Sequence, residues 1–461
     1  MKTSSKWVAA AALAVALVGA WITASAMSSH KVTQMLQTAV TQGWPDSNFK
    51  IRNLQHQAGW FTSHGQLELA YVDKCNPLSG EDTTWMQVSY NMSHLLLPSS
   101  LMRFDWTMQP TGDAKASFEK IFQGTVALSG AGHMRLGQSF DTDLNLPALS
   151  VSSSGSHFEM APTKGFVSIS GDGLSMDIAS PKTNFRGRGQ ALEIQQVQFS
   201  VDLDNRKFGT GISSISFGKI SGSDLTLEGM KLTSKAQQHE GRYSMSLSYN
   251  MDKATYQQYQ MTDMAISYAL NGLHSDSVAK LIALSGVSCG FQNMTNEEEQ
   301  QMRGAVKTLL MQGLSTGLTT VNAKVKDGKI EGKFMLDMSP NESDRLELNQ
   351  HLKVQGHLQV EGSVLSADQR KAVLDVGFAK ASPQGLMASL QYADRALKLN
   401  DKDVNSPMVG MMLSELENKL NDWLNNTSKS RANASLESIW PVLSEADMPA
   451  AEAPAAAVNE Q

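Results

Sequence analysis

The chain has 461 residues, a formal net charge of −6 and a hydrophobic fraction of 41%, which is long enough to bury a sizeable core. This mild acidity argues against a nucleic-acid partner, because that function requires a concentrated basic surface. The sequence has no P-loop, HExxH, CxxC or GxGxxG pattern, so we expect no cofactor and no metal.

The first element is an apolar segment, Trp7 to Ala26, which has no charged residue and follows Lys2 and Lys6. About 20 residues at ~1.5 Å each give a helix of about 30 Å, enough to cross a bilayer core. Because lysines precede it, residues 1–27 predict a single-pass signal anchor in the inner membrane, with the bulk of the chain in the periplasm. Ala24-Ser25-Ala26 is also typical of a signal-peptidase site, and cleavage near Ala26 is the alternative.

A short Gly-Trp-Phe-Thr-Ser element comes next and is followed by a strand-like alternation of apolar residues. Its residues are Gly59, Trp60, Phe61, Thr62 and Ser63. With the apolar N-terminal segment, this element resembles the YdgA-like family of bacterial proteins, a domain of unknown function, and Met264–Leu281 is also similar to it. The resemblance implies export, membrane attachment and a repetitive β-rich body. It supplies no catalytic residues.

Apolar and polar residues alternate repeatedly along the body of the chain, as in Val197–Leu203 and Tyr243–Met251. Such strands have one apolar and one polar face, which is typical of an antiparallel sheet solvated on one side. The pattern predicts a β-rich α+β fold, with a large curved antiparallel sheet built as a meander, a few covering helices and an N-terminal transmembrane helix. Residues 28–445 form the predicted exported body, and residues 446–461 form a disordered tail rich in Ala, Pro and Glu.

Three helices and one hairpin are predicted in the second half of the chain. The helices are Ser275–Leu284, Asn293–Gly317 and Pro407–Asn425. Thr295 and Glu298 have the spacing of a capping box. Lys326-Asp327-Gly328-Lys329 predicts a hairpin turn between two strands.

The two cysteines, Cys75 and Cys289, are the only ones in the chain. In an oxidising compartment an even number of cysteines allows one disulfide, which would close a very long loop. Two unpaired buried thiols are the alternative.

Two Gly-x-Ser-x-Gly strings, centred on Ser288 and Ser315, are the closest approach to a catalytic motif. A nucleophile elbow requires a strand before the serine and a helix after it. Both strings instead follow helical segments, so we expect glycine-rich helix ends and no enzyme. His56 and His64 flank the Trp60 element and are expected on the polar surface.

The sequence therefore predicts a membrane-tethered periplasmic protein without catalytic activity. Its expected role is to bind an apolar ligand, either a lipid or a lipidated polypeptide, or to maintain the envelope. The alternative is a structural or assembly factor that associates with itself or with another envelope protein. A hydrolase is the least favoured hypothesis. An open apolar groove, a long bare edge strand and a Ser-His-acid cluster in a pocket would favour these three hypotheses in turn.

Overall fold

The structure is a computed structural model. It describes residues 33–34, 37, 49–71, 83–94, 100–112, 115–116, 128–135, 139–153, 155–187, 189–287, 291, 294–325, 327–404 and 407–425. The predicted signal anchor and the predicted disordered tail lie outside these residues. Among the described residues, no helix has both the length and the apolar character needed to cross a membrane.

Antiparallel pairing joins 22 strands into one sheet. The N-terminal strands are β1 (Phe49–Ala58), β2 (Thr62–Tyr71), β3 (Thr83–Ser93), β4 (Met102–Pro110), β5 (Leu128–Met134), β6 (Phe140–Leu146), β7 (Leu149–Ser153), β8 (Ser156–Met160) and β9 (Thr163–Ser170). Strands β1 to β6 pair in sequence order, and β6 then pairs with β9. Strands β7 and β8 form a hairpin beside that path.

The central strands are longer and continue the sheet without a break in order. They are β10 (Gly173–Gly187), β11 (Gln190–Asn205), β12 (Thr210–Ser221), β13 (Leu225–His239), β14 (Arg242–Tyr256), β15 (Tyr259–His274), β16 (Leu314–Val325), β17 (Gly328–Met338) and β18 (Leu352–Gly362). One edge of β10 pairs with β9 and β8, and each strand from β10 to β18 pairs with the next. The large antiparallel sheet and the meander of its central part are as predicted.

The sheet ends with short strands. These are β19 (Lys380–Ser382), β20 (Gly385–Ala393), β21 (Ala396–Leu399) and β22 (Lys402–Asp403). Strand β20 pairs with β18 on one side and with β19 and β21 on the other, and β22 pairs with β21. The predicted hairpin around Gly328 is the β16–β17 connection.

Five helices occur among the described residues, namely α1 (Ser275–Val287), α2 (Asn296–Met311), α3 (Leu348–His351), α4 (Ala367–Asp375) and α5 (Pro407–Asn425). Helices α1, α2 and α5 cover one end of the central strands. Val278 of α1 and Leu309 of α2 pack on Tyr243 and Leu273 of the sheet to form a buried cluster. Apolar residues of α5 pack on a neighbouring cluster at the end of β17. Helix α4 lies elsewhere, against Leu386 of β20.

The capping box predicted for α2 is confirmed, because the Thr295 and Glu298 side chains each accept the other's backbone N–H. The predicted end of this helix at Gly317 is wrong, since α2 ends at Met311. Gly313 has a φ of +82°, a left-handed conformation that ends a helix. Leu314 then begins β16, because its apolar side chain fits the alternation of a strand as well as that of a helix.

A row of cross-strand neighbours, three of them with left-handed backbone, crosses the central strands, and we call it the crease. Its residues are Gln196, Gly218, Gly229, Asp252 and Asp263, which lie at matching positions on β11 to β15. Gln196, Gly229 and Asp263 have φ values of 54°, 64° and 52°. The pairing register from β11 to β14 is the same on both sides of these positions, so the left-handed residues change the alternation of the strands together and not by an extra residue in one of them. The apolar residues of β11 accordingly change from Leu192 and Ile194 on one side of the crease to Val197 and Phe199 on the other.

Candidate functional site

The main candidate site is an apolar surface on the central strands, which we call the apolar face. Its exposed members near the middle of the sheet are Leu232, Leu247, Ile266, Tyr268, Phe334 and Leu358. Cross-strand pairing places Leu232, Tyr249, Ile266 and Val321 in one row, and Leu247, Tyr268, Leu318 and Phe334 in the next. Neighbouring rows of this kind form one apolar surface, because side chains of paired residues point to the same side of a sheet.

The apolar face continues beyond the crease. Leu225, Tyr256 and Tyr259 are cross-strand partners there, and Phe185 pairs with Leu192. All five side chains are exposed, up to 64% for Tyr259. The crease therefore keeps apolar residues on one face over the whole length of the long strands.

Exposure of this face is costly in water, at about 25 cal/mol for each Å² of apolar surface. Soluble proteins rarely leave a large contiguous apolar patch bare, and such patches mark binding surfaces. The helices α1 and α2 cover the same strands at their other end. The open part of the face is therefore a candidate binding surface.

The opposite face of the same strands is polar. Ile212 is an exception, with 47% of its surface exposed, and its cross-strand partners are Asp202 and Lys235. These charged neighbours disfavour the binding of an acyl chain next to Ile212, because the chain would remove them from water. Ile212 thus offers a matched comparison for the exposed residues of the apolar face.

A Ser-His-Glu cluster lies on the β7–β8 hairpin. The Ser152 hydroxyl is 2.8 Å from His157 Nδ1, and His157 Nε2 is 2.9 Å from a Glu159 carboxylate oxygen. The hydrogen bond from His157, with a second from Asn184, lowers the pKa of Glu159. Ser152 and His157 also line an open cleft beside Arg186.

This cluster is poorly suited to nucleophilic catalysis. Ser152 is exposed, and the His157 and Glu159 side chains are 34% and 47% exposed. A catalytic serine depends on a base and an oxyanion site held away from bulk water. Water competes for all three groups here, so the cluster is better explained as a cross-strand surface network.

The predicted Gly-Trp-Phe-Thr-Ser element forms the tip of the β1–β2 hairpin, which we call the hairpin tip (residues 59–61). A Cβ at Gly59 would collide with the Thr62 carbonyl oxygen, which explains the glycine. Trp60 is 66% exposed and Phe61 is 40% exposed. The His94 N–H donates to the Phe61 carbonyl at 2.7 Å, so this end of the hairpin is held in place.

Ser63 and His94 lie beneath the hairpin tip as a buried pair. Their side chains are 2.6 Å apart, and both residues are 1% exposed. Burial, with a smaller repulsion from His56, lowers the pKa of His94. No hydrogen-bond partner for His94 Nδ1 is found among the described residues. The pair has no acidic third member there, and its burial favours a structural role.

His56 is more buried than the sequence indicated. Its Nδ1 is 2.9 Å from the Tyr90 hydroxyl and its Nε2 is 3.1 Å from the Thr33 hydroxyl. Burial, together with the nearby His64, lowers the pKa of His56. Burial also raises the pKa of Tyr90 to about 12. His64 is exposed on the other side of the hairpin, as expected.

The remaining candidate residues fall into two groups. Cys75, Cys289 and Ser288 lie outside the described residues, so the disulfide stays a prediction. Ser315 lies within β16, opposite Asn271 and Asp337, which is not the geometry of a nucleophile elbow. No group of three or more His, Cys, Asp or Glu side chains suited to a metal occurs in the described part of the chain.

Comparison with known proteins gives one family. Searches of curated proteins and of solved structures gave no match. A family model described as a bacterial protein of unknown function matches residues 4–407. This match covers most of the chain, including the hairpin tip and the apolar face. The chain therefore belongs to the DUF945 family of bacterial proteins of unknown function.

Proposed function

We propose that this protein is an exported, membrane-anchored, non-catalytic binding protein whose apolar face holds the acyl chain of a lipid. The exposed, contiguous apolar surface of the central strands carries this proposal. Removal of that surface and of the acyl chain from water is favourable for both partners.

The dimensions of the apolar face suit an acyl chain. Each chain of a membrane lipid spans half of a hydrocarbon core of ~30 Å, or about 15 Å. The row from Leu232 through Tyr249 and Ile266 to Val321 crosses four strands, which at ~4.8 Å per strand spacing is about 14 Å. One acyl chain can therefore lie along such a row with every methylene near an apolar side chain.

The tether in this proposal is the apolar segment Trp7–Ala26, which would act as an uncleaved signal anchor and keep the body on the periplasmic side of the inner membrane. Carbonate washing of membranes should leave the protein in the pellet. A mature N-terminus at Met27 would show that the segment is cleaved instead.

The test of binding is mass spectrometry of protein purified without added lipid. We expect a co-purified acyl chain in the wild-type protein and its loss in Leu247→Glu, because a carboxylate in the middle of the face has to be desolvated by the ligand. Ile212→Glu is the matched control, since Ile212 is similarly exposed on the polar face, and it should retain the lipid. Circular dichroism of both variants checks that the sheet is folded. A folded, lipid-free wild-type protein would contradict the proposal.

Self-association through a sheet edge is the alternative function. Among the described residues β1 pairs only with β2, and a ten-residue edge strand is a template for a further strand. Light scattering of the purified protein distinguishes the two. A dimer that forms without lipid and that Leu247→Glu leaves intact would favour assembly over lipid binding.

A further inference from the structure

The strongest unassigned surface is the hairpin tip with its two exposed aromatic side chains. We propose that Trp60 and Phe61 insert into the interfacial layer of the lipid bilayer and dock this end of the sheet on the membrane. This inference rests on the anchor that is part of the proposed function, and it adds a second, independent membrane contact.

The composition of the hairpin fits a bilayer surface. No Asp, Glu, Lys or Arg occurs between Arg52 and Glu68, so the tip can approach lipid without desolvation of a charge. Trp60 is 66% exposed and Phe61 is 40% exposed. Tryptophan is enriched at membrane interfaces, because its ring is largely apolar and its N–H can still bond to water or to a headgroup.

The hairpin tip is also rigid enough to act as a docking element. Gly59 allows the tight approach of the Thr62 carbonyl oxygen, and the backbone N–H of His94 is bonded to Phe61 O. The buried Ser63–His94 pair lies directly beneath. Because the backbone is already ordered, insertion of the two rings costs little conformational entropy.

Chain connectivity brings the tip within reach of the bilayer. Thr33 is seven positions after Ala26, the last residue of the apolar segment, and seven steps along the chain span at most about 25 Å. The Thr33 hydroxyl lies 3.1 Å from His56 Nε2. His56 precedes Trp60 by four residues on β1 and its turn. An anchor at residues 7–26 therefore holds this end of the sheet close to the membrane.

The hairpin tip lies at the same end of the sheet as the turn between β11 and β12, since the strands between them pair in antiparallel register. This is also the end at which α1 and α2 cover the central strands. Docking of the hairpin tip would therefore bring the helix-covered end of the sheet to the bilayer and leave the open part of the apolar face at the far end.

The test is photocrosslinking in intact membranes with p-benzoylphenylalanine in place of Trp60 of the full chain. We expect a phospholipid adduct at position 60, identified by mass spectrometry. The control places the same photoreactive residue at Val376, which is 79% exposed and follows α4 at the opposite end of the sheet. No lipid adduct should form there.

Each outcome of this experiment decides the proposal. A protein adduct at position 60, either with a second copy or with another protein, would overturn membrane docking, as would equal lipid adducts at positions 60 and 376. A carbonate-resistant protein with no lipid adduct at position 60 would also overturn docking and leave the anchor standing. A lipid adduct on a protein that carbonate releases would support docking and remove the anchor.

Discussion

The two ends of the β14–β15 hairpin differ in what covers them. At one end Tyr243 and Leu273 are cross-strand partners beneath α1 and α2 and are only 8% and 7% exposed. At the other end Tyr256 and Tyr259 are also partners, and both are more than half exposed. The alternation of residues is the same at both ends. An apolar strand face is thus a core or a binding surface according to whether a helix is placed over it.

The largest expected effect is a loss of stability at the covered end of the hairpin. Leu273→Ala should destabilise the protein by about 2–4 kcal/mol, because it leaves a cavity beneath the helices. Leu247→Ala on the open part of the face should cost less than about 1 kcal/mol, since water or ligand fills the space. Urea unfolding of both variants measures the difference. Equal losses of stability in the two variants would mean that the open part of the apolar face is packed in solution.

The crease is tested by a substitution of Gly229. Its φ is +64°, and a Cβ there would collide with the Asp252 carboxylate, so Gly229→Ala should destabilise by about 1–3 kcal/mol. Gly304→Ala is the control. Gly304 lies inside α2 with open space around it, and alanine there should stabilise by about 0.5–1 kcal/mol. A neutral Gly229→Ala would show that the crease tolerates a side chain.

The meander could be predicted from the sequence, but the crease could not. Strict alternation in Tyr243–Met251 identifies a strand and its apolar face. The phase shift at Gln196 and Asp263 depends on left-handed backbone at non-glycine residues, for which the sequence carries no signal. The packing of α1 and α2 over Tyr243 could not be predicted either, because helical periodicity predicts a helix and not the part of the sheet on which it packs.

One candidate site could be predicted from the sequence, and two others could not. The apolar face was inferred from alternation, since that pattern is local. The Ser152–His157–Glu159 network and the Ser63–His94 pair were missed, because each depends on a register between strands that the sequence does not reveal. The Gly-x-Ser-x-Gly string was a poorer guide, as Ser315 lies inside a strand.

A smaller effect on stability is expected from pH, which acts on the histidines packed beneath the hairpin tip. Burial lowers the pKa values of His94 and His56, so the folded state holds fewer protons than the unfolded state below about pH 6.5. The free energy of unfolding therefore has its full value above about pH 6.5. It falls as the pH drops through about 6.5 towards the pKa values of the two histidines in the folded state. Thermal midpoints at pH 7.5 and 5.5 should differ less in His94→Asn than in the wild type.

The control for that prediction is His239→Asn, since the His239 side chain is 83% exposed. It should leave the pH dependence unchanged. A His94→Asn variant with the full wild-type shift between the two pH values would assign the pH dependence to other groups.

The smallest expected effect is at Ser315, on the polar side of the sheet. Its neighbours Leu314 and Thr316 point to the apolar face, so Ser315 points away from it and lies between Asn271 and Asp337. Ser315→Ala should change stability by less than about 0.5 kcal/mol and leave the co-purified lipid in place. A serine-directed fluorophosphonate should not label Ser315, because a strand interior lacks the turn that exposes a nucleophile. Labelling that disappears in Ser315→Ala would restore the hydrolase hypothesis, and loss of lipid would mean that the two faces of the sheet do not act separately.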